Sequence, residues 1–260
     1  MKFSISNIAW DAKDDEAIYS YLKQKSFKGV EIAPTRLWSE PYSRTETAKV
    51  WAEEIQKKYG LSISSMQSIW YGKQEKICFS AEDRDVLLDY TKQAILFAEA
   101  IGCKNLVFGC PKNRIVENEK DYEVIAYFLD EVGKYAYEHH ASFSLEPNPA
   151  IYGTNFLNTT AQAVELCRKL NNKGILINYD FGTVIENKES IKECLDNLDI
   201  INHVHISEPY LVKINHHIEH NNLLKGLSDA DYQGFVSIEM KKQDNVSDVF
   251  ETIDYIGDLL

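Results

Sequence analysis

Short apolar runs alternate along the chain with longer stretches in which apolar residues recur every three or four positions. The short runs are typical of buried strands, and the longer stretches are typical of amphipathic helices. We predict eight strands, at residues 3–7, 28–33, 62–67, 104–109, 142–146, 174–180, 201–207 and 234–239. Strands that alternate with helices in this way predict a parallel sheet covered by helices.

Helix boundaries are recognisable in two of the longer stretches. In the first, Val50, Trp51 and Ile55 are expected on one buried face, and Gly60 is expected to end the helix. In the second, Ser80 is a favourable N-cap residue, and acidic residues follow it in the first turn.

The strand count and the length of 260 residues predict a single-domain (β/α)₈ barrel, the TIM barrel fold of the α/β class, over residues 1–260. A dinucleotide-binding doubly wound sheet needs a GxGxxG turn after an early strand, and the sequence has none. In a barrel, functional side chains lie at the carboxyl ends of the strands and in the loops that follow.

The composition describes an acidic globular protein. Hydrophobic residues make up 44% of the chain, and 40 Asp and Glu against 28 Lys and Arg give a net charge of −12. This charge repels phosphate backbones and anionic lipids, so we expect no nucleic-acid or membrane partner. The N-terminus lacks the apolar core of a signal peptide, and no apolar run reaches the length of a membrane helix.

The five cysteines are scattered, odd in number and without a CxxC pair. This pattern favours buried free thiols in a reducing compartment over a structural zinc site or a catalytic thiol. We therefore expect a cytoplasmic protein. Its oligomeric state is left open, and a homo-oligomer is compatible with the fold.

Four consecutive predicted strands each end on a residue that can bind a metal: Glu146, Asp180, His205 and Glu239. Their spacings of 34, 25 and 34 residues each match about one strand–helix unit. A single Glu at a strand end is usually solvated, and a single His in a strand is usually a core residue. Four such residues on one rim favour a site for one divalent metal, because a cation offsets the repulsion between the carboxylates.

The ligand types indicate which metals would bind. Three carboxylates and one imidazole form a mainly hard oxygen donor set, which favours Mn²⁺, Mg²⁺ or Co²⁺ and leaves Zn²⁺ as a further option.

The same strand ends, LEPNP, NYDFG, HVHISEP and GFVSIEM, resemble those of the xylose isomerase-like TIM barrel superfamily. This group includes sugar-phosphate isomerases and epimerases, ketose 3-epimerases, hydroxypyruvate isomerases, inosose dehydratases and endonuclease IV. Residues 220–240 are also similar to the closing segment of bacterial sugar-phosphate isomerase/epimerase proteins. The resemblance implies that Glu146, Asp180, His205 and Glu239 bind the metal, and that Glu146 and Glu239 also act as acid and base.

The resemblance implies an isomerase or epimerase that acts on a sugar or sugar phosphate by proton transfer through an enediolate. A keto-polyol dehydratase, of the inosose dehydratase kind, is the alternative on the same site. A barrel that binds metal or sugar without catalysis is the third hypothesis.

The chain departs from the ketose 3-epimerases at two positions that contact the sugar in those enzymes. They have a His three residues after the strand-six Asp, where this chain has Thr183. They also have an Arg shortly after the strand-seven His, where this chain has Pro209, Tyr210 and Leu211. Endonuclease IV-like enzymes need histidines on earlier strands, and all seven histidines here lie at residue 139 or later, which argues against a three-zinc site.

Further residues near the predicted rim are candidates for contact with a small sugar or polyol substrate: His220, Trp70, Glu31 and Gln67. His203, two positions before His205, points to the same side of its strand and is a candidate to support the metal ligands. Lys112 and Arg114 follow the fourth strand. We expect these two to be solvated charges, with phosphate binding as the alternative.

Overall fold

The computed structural model describes residues 1–259 and contains the eight predicted strands within two residues at each end. All neighbouring strands are parallel, in the order β1-β8-β7-β6-β5-β4-β3-β2. The strands are β1 (Lys2–Ile5), β2 (Gly29–Ile32), β3 (Ser62–Met66), β4 (Asn105–Phe108), β5 (Ser142–Leu145), β6 (Ile175–Asp180), β7 (Ile201–Ser207) and β8 (Phe235–Glu239).

The sheet closes on itself where β1 meets β2. Ser6 forms a parallel bridge with Glu31, and the Lys28 backbone N–H donates to the Phe3 carbonyl over 2.9 Å. On its other side β1 pairs with β8, with Lys2 opposite Phe235. The single-domain TIM barrel prediction is therefore confirmed, and all strands deliver their carboxyl ends to one rim.

Helices surround the barrel and connect successive strands. They are α1 (Asp15–Gln24), α2 (Pro34–Leu37), α3 (Thr45–Tyr59), α4 (Ala81–Ala100), α5 (Glu119–Glu138), α6 (Thr160–Leu170), α7 (Phe181–Asn187), α8 (Lys192–Leu195), α9 (Ile218–Asp229) and α10 (Val246–Gly257). None of the helices within residues 1–259 is long and apolar enough to cross a bilayer.

The helix boundaries follow the expected capping rules. The Ser80 hydroxyl accepts the Asp83 backbone N–H over 3.0 Å and caps α4, as predicted. Gly60 follows α3 with a φ of 75°, a left-handed conformation that glycine adopts without steric cost.

The predicted buried face of α3 was wrong at Val50. Val50 is 55% exposed, and the residues buried against the barrel are Ala48, Ala52, Ile55 and Tyr59. Two of these four buried residues are alanines, so the buried face of α3 is only weakly hydrophobic in sequence and is hard to distinguish from the face that carries Val50. The five cysteines are free, as expected, but only Cys103, Cys167 and Cys194 are buried, whereas Cys78 and Cys110 are half-buried.

The packing of α5 against β6 leaves no room for a side chain at Gly174. A Cβ at Gly174 would lie 1.9 Å from the Gly133 carbonyl oxygen, which belongs to the backbone of α5. We predict that Gly174→Ala lowers the free energy of unfolding by about 2 kcal/mol or more, because backbone must move to relieve the clash.

Urea unfolding followed by circular dichroism measures this loss. Gly257→Ala is the matched control, because its Cβ would meet only Phe27 Cε2 at an ordinary contact distance of 3.5 Å. Equal unfolding midpoints for Gly174→Ala and Gly257→Ala would contradict the described packing.

Candidate metal centre

Four adjacent strands bring the predicted quartet together at the rim. Glu146 follows β5 directly, Asp180 and Glu239 are the last residues of β6 and β8, and His205 lies near the end of β7. Each residue offers a ligand atom within 4.8 Å of those of the other three. All four are buried, at 8% exposure or less. This compact set of three carboxylates and one imidazole fits a divalent metal.

His205 lies at the centre of the quartet and uses both of its ring nitrogens. Its Nδ1 lies 3.0 Å from Glu146 Oε1 and 3.2 Å from Glu239 Oε2. Its Nε2 lies 2.8 Å from Glu31 Oε2, on the side away from the other carboxylates. With a proton on Nε2 donated to Glu31, Nδ1 is the nitrogen that can bind a metal.

Burial and like charge shape the titration of the quartet. Burial raises the pKa of Glu146, Asp180 and Glu239, and repulsion between the carboxylates adds to the increase. Burial disfavours the charged form of His205, but Glu31 and Glu239 outweigh it and raise its pKa well above the usual value. A proton on Nδ1 and a divalent cation are thus alternative ways to offset these buried negative charges.

Two amide side chains orient the Glu146 carboxylate. Asn178 Nδ2 donates to Glu146 Oε1 over 2.8 Å, and Asn148 Nδ2 donates to Glu146 Oε2 over 3.2 Å. Arg114 in turn donates to the Glu146 carbonyl over 2.8 Å and to Asn148 Oδ1 over 2.9 Å. The Arg114 contact fixes the amide of Asn148 with its donor side toward Glu146.

The expectation that Arg114 is a solvated charge was therefore wrong. Arg114 is fully buried, and burial lowers the pKa of its guanidinium to about 10. Its hydrogen bonds go to protein oxygens around the end of β5, including the Phe108 carbonyl over 3.1 Å. Arg114 therefore holds the Glu146 backbone and the Asn148 side chain in place.

Local hydrogen bonds hold Asp180 in place. Asp180 Oδ2 accepts the backbone N–H of Thr183 over 2.8 Å and its hydroxyl over 2.7 Å, which caps α7. Asp180 Oδ1 accepts the hydroxyl of Ser207. Thr183 stands where ketose 3-epimerases have a sugar-contacting His, and here it donates hydrogen bonds to the candidate ligand Asp180. Its hydroxyl also donates to the Pro147 carbonyl over 2.8 Å.

The barrel interior below the quartet is polar. Asn105 of β4 accepts from Ser144 and from Asn202 of β7, each over 2.6 Å, and donates to Ser65 over 2.9 Å. The bond to Asn202 joins strands that are not neighbours, so it crosses the interior. TIM barrel interiors are usually filled by branched apolar residues. The polar filling here provides a hydrogen-bonded floor for the site.

A cavity of about 200 Å³ opens above the quartet. Glu146, Asp180 and Glu239 line it together with residues from several rim loops. The remaining lining residues are Gln67, Ser68, Val107, Gly109, Cys110, Pro111, Asn148, Tyr152 and Leu211. Only Gln67 among these was predicted from the sequence to contact a substrate. Asn148 could have been found from its place two residues after Glu146, whereas Tyr152 and Leu211 lie in short 3₁₀ turns of the rim loops.

The other substrate-contact candidates lie elsewhere, and none of them lines the cavity. Glu31 is fully buried between His205 and His203. Trp70 donates to Thr91 over 2.8 Å and packs against core aromatics. His220 is fully buried on α9, 3.1 Å from the Tyr255 hydroxyl.

Glu31 contacts the candidate ligand His205, and Trp70 and His220 pack among other buried residues. His203 Nε2 lies 3.3 Å from Glu31 Oε2, so His203 flanks the Glu31–His205 pair as the sequence suggested.

The chain belongs to the xylose isomerase-like TIM barrel family. The family model matches residues 20–258. No curated protein matches the sequence significantly.

Several solved structures share the fold at low sequence identity. A 3-keto-D-glucoside 4-epimerase from E. coli is 20% identical, with a TM-score of 0.79 and coverage of 98% of both chains. A D-psicose 3-epimerase from Clostridium cellulolyticum H10, solved with D-tagatose, is 15% identical, with a TM-score of 0.76 and coverage of 98% of this chain and 89% of its own. A probable 3-DHS dehydratase from Bacillus anthracis is 15% identical, with a TM-score of 0.77 and coverage of 99% of both chains.

The contact between Glu31 and His205 predicts a role for Glu31 in metal binding. Glu31→Gln replaces a charged acceptor with a neutral amide, which makes His205 less basic and less well oriented. We expect a Kd for Mn²⁺ that is roughly 10- to 100-fold higher than in the wild type. Isothermal titration of the folded variants measures it.

Glu219→Gln, at an exposed carboxylate of α9, is the control and should bind Mn²⁺ as the wild type does. Unchanged Mn²⁺ affinity in Glu31→Gln would show that this carboxylate does not support the metal ligand.

The burial of His220 predicts a pH dependence of stability. Burial lowers its pKa to about 3 in the folded protein, against about 6.5 in an unfolded chain. The unfolded state therefore binds the proton first, and the stability contributed by neutral His220 is lost as the pH falls below about 6.5. By pH 5 this loss amounts to about 2 kcal/mol.

His220→Gln should remove this component and flatten the curve of unfolding free energy against pH between 7 and 5. Guanidinium unfolding at several pH values measures the curve. The exposed His140 provides the control His140→Asn, which should retain the wild-type slope. A His220→Gln slope equal to that of the wild type would contradict the described burial.

Proposed function

We propose that the protein is a divalent-metal-dependent isomerase or epimerase of a sugar or sugar phosphate. The observation that carries the proposal is the pair of buried carboxylates, Glu146 and Glu239, which line one cavity and contact the same nitrogen of His205. Two such groups around one substrate can remove a proton from carbon and return one, which is the chemistry of both reactions.

Glu146, Asp180, His205 and Glu239 are the residues that would hold the metal, with Mn²⁺, Mg²⁺ or Co²⁺ favoured and Zn²⁺ a further option. When bound, the ion would supply Lewis-acid polarisation of a substrate carbonyl. Relatives solved with D-allulose, D-tagatose and D-fructose are ketose 3-epimerases, which supports a sugar substrate.

Glu146 and Glu239 would perform the proton transfers. Both are buried in the wall of the cavity, where a carboxylate can take a proton from a substrate carbon or return one. The amides of Asn148 and Asn178 fix the plane of Glu146, so its oxygens keep one orientation toward the cavity. One carboxylate removes the carbon-bound proton to give an enediolate, and the other returns a proton for epimerisation. Return to the neighbouring carbon gives isomerisation.

The cavity suits a small substrate. Its volume of about 200 Å³ leaves room for one monosaccharide or polyol above the carboxylates. Leu211 lines it, and the segment Pro209, Tyr210 and Leu211 follows the strand-seven His where ketose 3-epimerases carry an Arg contact, so we expect a sugar other than their free ketoses to fit best. The cytoplasmic location and the oligomeric state stay predictions from sequence.

A dehydratase acting on a keto-polyol is the second candidate, because the probable 3-DHS dehydratase shares the fold over 99% of the chain. The first proton abstraction would be the same. The enolate would then expel a β-hydroxyl group instead of taking up a proton. His220, predicted from the sequence to contact the substrate, is buried away from the cavity and does not supply the acid for this step.

Solvent-exchange measurements test the proposal. Protein stripped with a chelator and loaded with Mn²⁺ is incubated in D₂O with D-allulose, D-fructose, D-tagatose and their phosphate esters, and with keto-inositols. We expect deuterium at the carbon next to the carbonyl of at least one compound, detected by NMR. Glu239→Gln should reduce the rate by at least about 100-fold, because it lacks one of the two acid–base groups.

Glu219→Gln should retain the wild-type rate. Product mass separates the candidate reactions, since a loss of water identifies a dehydratase. Tight Mn²⁺ binding without exchange in any compound would favour a non-catalytic binding protein and contradict the proposal.

A further inference from the structure

The loop after β5 places one tyrosine at the wall of the cavity. Residues 150–152 form a single 3₁₀ turn, and Gly153 ends it with a φ of 79°. The Tyr152 side chain is partly exposed and lines the cavity with Glu146, Asp180 and Glu239. Tyr152 is therefore a polar group of the cavity wall that the acid–base and metal assignments leave without a role.

The hydroxyl of Tyr152 is held as an acceptor by the protein and is free as a donor. The backbone N–H of Tyr210 donates to its oxygen over 2.8 Å. Within residues 1–259, no hydrogen bond uses the hydroxyl hydrogen of Tyr152. The oxygen position is thus fixed, and the hydrogen is available to a ligand in the cavity.

A strained turn presents the N–H that fixes this oxygen. Tyr210 and Leu211 both have a left-handed backbone, with φ values of 60° and 52°, which residues with side chains rarely adopt. Two backbone hydrogen bonds stabilise the turn. The Leu211 N–H donates to the Glu208 carbonyl over 2.9 Å, and the Lys241 N–H donates to the Leu211 carbonyl over 2.7 Å. The same turn places Leu211 in the cavity lining. Strain of this kind is concentrated at functional sites.

The Tyr152 hydroxyl is protonated at neutral pH, chiefly because it is partly buried. Burial raises the pKa of Tyr152 to about 12, and the nearby Asp180, Glu239 and Glu146 carboxylates add to the increase. At neutral pH the group donates a hydrogen bond and does not act as a base.

We propose that Tyr152 is a catalytic residue that donates a hydrogen bond to the carbonyl oxygen of the substrate, which is bound to the carbon next to the one that loses its proton. This inference rests on the proposed function and adds a named donor to it. The oxygen gains negative charge as the carbanion forms, so a fixed O–H donor binds the enediolate more tightly than the starting sugar. The proposed ligand class is a hydroxycarbonyl compound with adjacent oxygens, one facing the carboxylates and one facing Tyr152.

A binding measurement tests the assignment without turnover. Glycolohydroxamate mimics an enediolate by its two adjacent oxygens, and its affinity for the Mn²⁺-loaded protein is measured by isothermal titration. Tyr152→Phe removes only the hydroxyl, and we expect a Kd for the probe about 5- to 20-fold higher than in the wild type. The Kd for Mn²⁺ should stay within about twofold of the wild type, because Tyr152 is outside the ligand quartet.

Tyr127→Phe, an exposed tyrosine on α5, is the matched control and should bind the probe as the wild type does. Equal probe affinity in Tyr152→Phe and the wild type would overturn the assignment, as would a wild type that binds Mn²⁺ but not the probe. A large loss of Mn²⁺ affinity in Tyr152→Phe would also overturn it, because the tyrosine would then support the metal site. Failure of the proposed function is separate, since it would be seen as absent deuterium exchange in the wild type.

Discussion

Mutual repulsion among three carboxylates buried beside His205, two of which contact the same ring nitrogen, is the constraint on which the rest of the rim depends. Glu146, Asp180 and Glu239 are each at most 8% exposed, so water screens their repulsion poorly. His205 offsets part of the charge, and Glu31 holds its far nitrogen. A divalent cation would relieve the same repulsion, which makes the quartet both a source of instability and a candidate metal site.

The hydrogen bonds that hold this cluster in place extend into the barrel interior. Asn178 links Glu146 to the polar floor around Asn105, and Arg114 holds the backbone and amide groups at the end of β5. A barrel filled with branched apolar residues would leave these polar groups without partners. The polar interior therefore buries less hydrophobic surface than an apolar one would, but it fixes the orientation of the carboxylates. Proton transfer by these carboxylates would require such a fixed orientation.

The sequence was sufficient for the fold and for the quartet because both depend on local and periodic signals. Strands repeat along the chain, and Asp180 and Glu239 stand out as charged residues at the ends of apolar runs. The α3 face was misjudged at Val50 because its buried face is built from alanines, whose weak apolar signal hides the helix phase.

Contacts between distant loops could not be read in this way. Trp70 and His220 carry side chains suited to a sugar pocket, yet long-range packing turns both into the core. Arg114 looked like a surface charge because two of its three acceptors are 32 and 34 residues away in the chain. The turn at Tyr210 and Leu211 has positive φ values but contains no glycine. The sequence therefore gave no indication that a turn here would place Leu211 in the cavity wall.

Electron paramagnetic resonance of bound Mn²⁺ tests most directly whether the quartet is a metal site. We predict one tightly bound Mn²⁺ per wild-type chain, and its loss in the folded double variant Asp180→Asn, Glu239→Gln. A wild-type chain that binds no Mn²⁺ tightly, or a double variant that keeps its ion, would contradict this prediction.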